Sequence, residues 1–213
     1  MTTQTSPAFP GATGLLGTAG LQAAAVAAGL AVSASASWPE TDSDAEVPPL
    51  AGFIDSLFSP LIAEVAGRAL SRREEGRREE GFPRDQAAPD GAVIAIVLVT
   101  AHGDVASAAQ VAARVDAGRR VPPLHFFQSV PNAVAGYLAA RWQLTGPIVC
   151  VSGITPAMDA VALLIEDADA DEALIVSVDL GLTGGAGDRA AAVIVTGPTG
   201  RPEAERHGPE GAA

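Results

Sequence analysis

From Ala92 to Thr100 the chain reads AVIAIVLVT, nine apolar or β-branched residues in succession between Gly91 and Gly103. A run with no polar position on either parity has no solvent face, so it predicts a strand buried on both sides of a sheet. Asp104 follows as a helix cap, with Val105, Ala108, Val111, Ala112 and Val115 at helical spacing and Gly118 as the stop. Upstream, Phe53, Leu57, Leu61, Ile62, Val65 and Leu70 predict a helix from about Gly52 into an Arg/Glu segment, with Pro60 kinking it or opening its second half. A first buried strand is expected around Ala25 to Ser33. Downstream, a helix from about Val130 to Leu144 leads to a strand at Ile148 to Ser152. A further helix opens on Thr155 as cap with Pro156 in its first turn and runs to about Glu166. Strands at Ala173 to Val178 and Ala190 to Thr196 flank a Gly-rich turn, Gly181 to Gly187. Pro39 to Pro49 and Phe82 to Gly91 read as surface loops.

Helices alternating with buried strands predict an α/β fold. About ten residues join the last two strands, too few for a helical crossover, so these two are expected to be antiparallel. The expectation is a five-stranded mixed sheet covered by helices. Residues 1–20 read as a flexible N-terminal segment, 21–198 as the domain and 199–213 as a flexible tail.

Charge narrows the function. The 213 residues carry a net charge of -12, and all 13 basic residues are arginine, which argues against a nucleic-acid partner. The only basic cluster in this reading, Arg68 to Arg78, is interleaved with Glu74, Glu75, Glu79 and Glu80 and reads as a self-paired, solvated helix face. Gly14 to Ser37 holds no charge, but no Arg precedes Arg68, so the positive flank of a signal peptide is missing. Its Ala, Gly and Ser content also inserts weakly into membrane, so the stretch reads as buried globular structure in a cytoplasmic protein. The single cysteine can form neither an internal disulfide nor a Cys-rich metal site. Gly181 to Gly187 lacks the Lys-Ser/Thr of a phosphate loop and precedes a strand, so no cofactor is expected.

Candidate chemistry centres on Cys150-Val151-Ser152-Gly153. Ser152 has no G-x-S-x-G setting. His102, His125 and Asp179 could in principle meet in such a fold, although His102 reads more simply as a strand-end residue, and His207 lies in the tail.

The segment PPLHFFQSVPNAVAGYLAARWQLTGP, Pro122 to Pro147, resembles the β-ketoacyl synthase family, whose pattern is an Asn, a small-residue stretch and Gly, then a helix leading to a Gly-Pro pair. Here these are Asn132, Ala135-Gly136, Leu144 and Gly146-Pro147. IVCVSG with ITPAMDAVALLIEDADADEALIVSVD is similar to that family's strand, nucleophile helix and following strand. DRAAAVIVTG is similar to the strand closing its first half. The resemblance implies a thiolase-like half. It is nearest to short ketosynthase-like proteins of aryl polyene and highly reducing type II polyketide clusters, which act as chain length factors beside a full-length ketosynthase.

Active members need a thiolate at a helix tip and two downstream imidazoles, or His and Asn. Cys150 shares the family's Cys-small-Ser-Gly context, and Asp159 falls at its Asp spacing. Yet only Ile148 and Val149 separate Cys150 from Pro147, too few to form the strand that carries a nucleophile to its turn. Cys150 is therefore expected inside the strand as a buried structural residue, and no residue is assigned a catalytic role. The resemblance implies instead an acyl tunnel and partner interface built by His125 and Ser129, with Phe126, Phe127, Gln128, Val130, Asn132 and Cys150 adjoining. The implied partner is a full-length ketosynthase in a heterodimer. The growing chain on the acyl carrier protein would be met only indirectly, because an acidic carrier would be repelled by an acidic chain. The alternatives are a Cys150-dependent ketosynthase or acyltransferase, and an α/β binding protein with no polyketide role.

Overall fold

The computed structural model describes residues 17–53, 56–79, 91–180 and 188–198. The elements are α1 (Thr18–Ala27), β1 (Ala31–Trp38), α2 (Phe58–Glu79), β2 (Ile94–Val99), α3 (Val105–Asp116), α4 (Pro123–Gln128), α5 (Pro131–Trp142), β3 (Ile148–Val151), α6 (Ile154–Glu166), β4 (Glu172–Asp179) and β5 (Arg189–Thr196). They form one five-stranded mixed sheet in the order β1-β5-β4-β2-β3. β2 runs parallel to β3 and β4, whereas β5 runs antiparallel to both β4 and β1, as the short β4–β5 connection requires.

Strand parity divides the core into two layers. Ile94, Ile96 and Leu98 of β2 share one face with Leu174, Val176 and Val178 of β4, under Leu61, Ile62 and Val65 of α2 and Val134 and Leu138 of α5. Ala95, Val97 and Val99 face the other way with Ala173 and Ile175, under Leu21 and Ala25 of α1 and Ala157 and Val161 of α6. All six residues of β2 are buried, as its unbroken apolar run demands.

The N-terminal expectation is corrected. Residues 25–33 are not one strand: α1 ends at Ala27 and β1 begins at Ala31. Alanine is the strongest helix former, and Gly29 at φ 79° ends the helix, its N–H donating to the Val26 carbonyl while Leu30 N–H reaches Ala25. α1 therefore opens within the segment expected to be flexible, while residues 1–16 lie outside the described residues. The same holds for the expected loop from Phe82 up to Asp90, the Gly181 to Gly187 turn, the tail beyond Pro198 and His207. Among the described residues no helix is long and apolar enough to cross a membrane.

α2 begins at Phe58, not Gly52, and Pro60 lies in its first turn, where a missing N–H costs no helical bond and causes no kink. Its arginines do more than pair along the helix. Arg68–Glu64 and Arg78–Glu74 are pairs of that kind. Arg68 also grips Asp44 with two hydrogen bonds of 2.8 Å and lies 4.8 Å from the Trp38 ring centre, while Arg72 holds Glu40 at 2.8 and 2.6 Å. These contacts pin the acidic 39–49 loop to the helix. Arg68 and the Glu40 N–H together hold the Asp44 carboxyl well below the usual carboxylate range. Arg73 reaches through the core to Glu172 at the start of β4, bidentate at 2.5 and 2.6 Å.

The Gly146-Pro147 pair has a packing reason. A Cβ on Gly146 would collide with the Ile94 carbonyl and the Ala95 nitrogen, and Pro147 O accepts from Ile96 N–H at 2.9 Å. Only glycine lets the chain cross the start of β2 closely enough to enter β3 in register, with Ile148 opposite Ile96 and Cys150 opposite Leu98.

Candidate functional site

The carboxyl ends of parallel strands are where an open α/β sheet places its ligands. Here the ends of β2 and β3 open into a cleft of about 600 Å³ lined by Thr100, His102, Asp104, Ser129, Cys150 and Ser152, among others. Asp104 is committed elsewhere. It is buried, and its carboxylate accepts from the Ser107 N–H at 3.0 Å and the Ser107 hydroxyl at 2.7 Å, capping α3 as its position in the sequence predicts. His102 is exposed just beyond the end of β2, in keeping with a strand-end residue.

Cys150 is the third residue of the four-residue strand β3, as the spacing from Pro147 predicts, but it is not buried. Among the described residues β3 is an edge strand, and Ile148 and Cys150 are exposed. Parity fixes the thiol's direction. Val149 and Val151 pack into the layer beneath α6, whereas Cys150 turns to the opposite face, where its Sγ donates to Asn132 Oδ1 at the start of α5, 2.7 Å away. The tip of α6 carries Gly153 as cap, then Ile154 and Thr155; Thr155 lies within the helix and does not cap it. The helix dipole that would acidify a thiol therefore lies across the sheet from this one. Desolvation against its neighbours pushes the Cys150 thiol above its ordinary value, and a carboxamide acceptor favours the protonated form.

The segment before Asn132 forms a helix that the sequence reading missed. α4 is six residues long, with Pro123 in its first turn and Pro131 opening α5 just beyond it. The Pro122-Pro123 pair is the signal that could have revealed it, since proline is favoured at the first helical position. Of α4, only Gln128 is buried, its amide donating to the Gly52 carbonyl. Phe126 and Phe127 are 67% and 55% exposed, with Leu124 and Val130 exposed beside them, so they are not core residues. Ser129 is half-buried and donates to the Phe126 carbonyl at 2.8 Å, and His125 is half-buried. α3 packs against α4 but buries only Ser107, leaving Ala108, Ala112 and Val115 of its expected apolar face in the open.

Thus Ser129 and Cys150 share the cleft, Asn132 is tied to Cys150, and Phe126, Phe127 and Val130 are exposed on or just beyond α4. Gln128 faces inward as a tether. Asp179 closes β4, and its side chain lies outside the described residues.

Residues 85–184 match the model of the beta-ketoacyl synthase N-terminal domain. No curated protein matches the chain. Among solved structures, the fold is similar to that of a ketosynthase (ApeO) in complex with its chain length factor (ApeC) from Xenorhabdus doucetiae, at a TM-score of 0.56 and 17% identity over 80% of each chain. It is also similar to the ishigamide ketosynthase/chain length factor, at a TM-score of 0.55 and 17% identity over 79% of this chain and 50% of that one. A third, a type II polyketide synthase acyl-carrier protein in complex with its ketosynthase, gives a TM-score of 0.53 and 11% identity over 79% of this chain and 63% of that one. The chain thus spans half to two-thirds of the latter two. Residues 85–184 are thus similar to the beta-ketoacyl synthase N-terminal domain, and the chain carries them on an α/β fold like that of the ketosynthase structures it matches.

Proposed function

We propose that this chain is a non-catalytic, chain-length-factor-like subunit that pairs with a full-length ketosynthase and shapes its acyl tunnel in type II polyketide biosynthesis. The observation that carries this reading is the placement of Cys150: inside an open edge strand, on the face away from α6, with its thiol donating to a carboxamide. Such a sulfur lacks the helix dipole that acidifies a nucleophilic thiol, and its hydrogen-bond partner among the described residues is a carboxamide and not an imidazole base. The backbone edge of β3, which pairs with no further strand among the described residues and carries exposed Ile148, is an unfinished surface of the kind a partner strand completes, and exposed Phe126 and Phe127 on α4 add apolar surface. Equal 80% coverage of both chains in the ApeO/ApeC comparison also supports it, because the matched chain is then about as short as this one. In the assembled complex His125, Ser129, Phe126 and Phe127 would border the acyl chain and limit its extension by excluded volume.

One observation favours a Cys150-dependent ketosynthase or acyltransferase: the thiol is exposed and lines a cleft that also holds His102, Ser129 and Ser152. Cys150→Ser separates the two readings. Co-purified with its ketosynthase, the variant should elongate acyl chains within about twofold of the parent rate, since a serine hydroxyl keeps the hydrogen bond to Asn132. In the complex, an acyl-thioester analogue should label the ketosynthase and leave Cys150 unmodified. Abolished elongation with an intact complex, together with acylated Cys150, would reverse the assignment.

A further inference from the structure

A groove follows the solvent side of α2. Its floor is Pro60, Ala63, Gly67 and Ser71, which recur on one helix face and are small enough to leave it open. Residues 47–50 border it, as do Tyr137, Arg141 and Trp142 of α5. Three adjoining hollows of about 440, 180 and 430 Å³ make up its length. The first two share Pro49, Leu50 and Pro60, and the last two share Ala63, Glu64, Gly67 and Trp142. The chain has one tyrosine and two tryptophans, and the tyrosine and one tryptophan border this groove, with Phe53 edge-on against Tyr137.

The polar groups of the central hollow are donors. Neither the Tyr137 hydroxyl nor the Trp142 indole N–H hydrogen-bonds another described residue, and neither is sealed from solvent. Arg141 is exposed and forms no ion pair among the described residues. The carboxylate of that hollow, Glu64, is already held by Arg68 at 2.8 Å. In the outer hollows Arg68 and Arg72 are bound to Asp44 and Glu40, while Glu46 and Glu75 lie toward the two ends. A ligand that fits therefore brings apolar surface, hydrogen-bond acceptors and one negative charge near its middle. A polyproline II strand meets the first two demands, because its carbonyls are unpaired, its prolines carry no N–H, and its conformation is set before binding. From Pro60 to Glu75 the helix rises about 22 Å, room for about seven residues of such a strand at about 3.1 Å each.

We infer that this groove docks an extended, proline-rich segment of a partner protein, with an acidic residue at its centre paired to Arg141. Aromatic rings and prolines supply the apolar walls, Tyr137 and Trp142 donate to the ligand's carbonyls, and Arg141 fixes its register. The surface is separate from the cleft at the ends of β2 and β3, so it gives the chain a second point of attachment.

The probe is a fluorescein-labelled peptide of three prolines, one glutamate and three prolines, titrated with the full chain by fluorescence anisotropy at 50 mM NaCl. Binding should saturate, and an arginine in place of the central glutamate should weaken it about tenfold. Arg141→Glu should reverse that preference, which a mere disturbance of the fold would not do. Moving the acid to both ends of the peptide, toward Glu46 and Glu75, should also weaken binding. Gly67→Leu should abolish it: Gly67 has ordinary helical backbone and a Cβ there meets only the Trp142 ring, at 3.8 Å, so the helix accepts the side chain while the groove is filled. No saturable binding by the parent chain would overturn the inference, as would an Arg141→Glu variant that keeps the parent's preference. Self-association of the parent in sedimentation velocity, lost in Gly67→Leu, would assign the groove to a second copy and overturn it as well.

Discussion

Arg73→Met should destabilise the fold by about 3–5 kcal/mol, read as a shift in the urea midpoint, because it leaves the Glu172 carboxylate buried and without its partner. The guanidinium and carboxylate side chains are only 5% and 9% exposed, and they join the middle of α2 to the first residue of β4 through two short hydrogen bonds. The cost lies in the abandoned charge more than in the lost attraction. Arg73→Met combined with Glu172→Met should therefore recover most of the stability, since apolar residues of similar volume replace a buried ion pair at little net loss. A double variant as unstable as the single one would show that the pair's geometry, and not the stranded charge, holds α2 against the sheet. Arg77, with a nitrogen 3.8 Å from the same carboxylate, is too far for a hydrogen bond of its own and should not substitute.

The largest functional effect is expected at α4. Phe126→Asp with Phe127→Asp should weaken association with the proposed ketosynthase partner at least a hundredfold, measured by co-purification and sedimentation velocity, while the isolated chain keeps its unfolding midpoint. Both rings already face solvent, so the free fold loses nothing when they become carboxylates, whereas burying two charges in an apolar interface is strongly unfavourable. An intact heterodimer in this variant would move the interface away from α4. The milder Phe127→Ala should leave assembly in place and lengthen the products, seen as a higher-mass shift in the released acyl chains, because under the proposed function it removes volume from the tunnel wall. Products of unchanged length would confine Phe127 to the subunit contact.

Several elements were legible because a single physical rule dominates each. Nine successive apolar or β-branched residues between glycines predict a doubly buried strand, and β2 is one. Asp104 is a helix cap by residue type and position, and its carboxylate bonds the Ser107 N–H. The β4–β5 link is too short for a crossover, and the strands are antiparallel. Where two rules compete, the chain alone was ambiguous. The uncharged run around Ala25 to Ser33 suits a buried strand by hydrophobicity and a helix by alanine content, and Gly29 divides it between the two. α4 is shorter than two helical turns, below the length at which periodicity can be read.

By itself the sequence determined the α/β class, the mixed sheet, the family resemblance and the position of Cys150 within a strand, because each follows from local pattern and chain length. Exposure was decided by tertiary structure. Whether Cys150, Phe126, Phe127 and the apolar face of α3 are covered depends on which strand ends the sheet and which helices lie over it. That is a property of neighbours distant in sequence, and no local pattern encodes it. The same holds for the arginines: those of α2 and those that end α3 look alike in one dimension, and only the folded chain brings Asp44, Glu40 and Glu172 to the first group and leaves the second without carboxylate partners among the described residues.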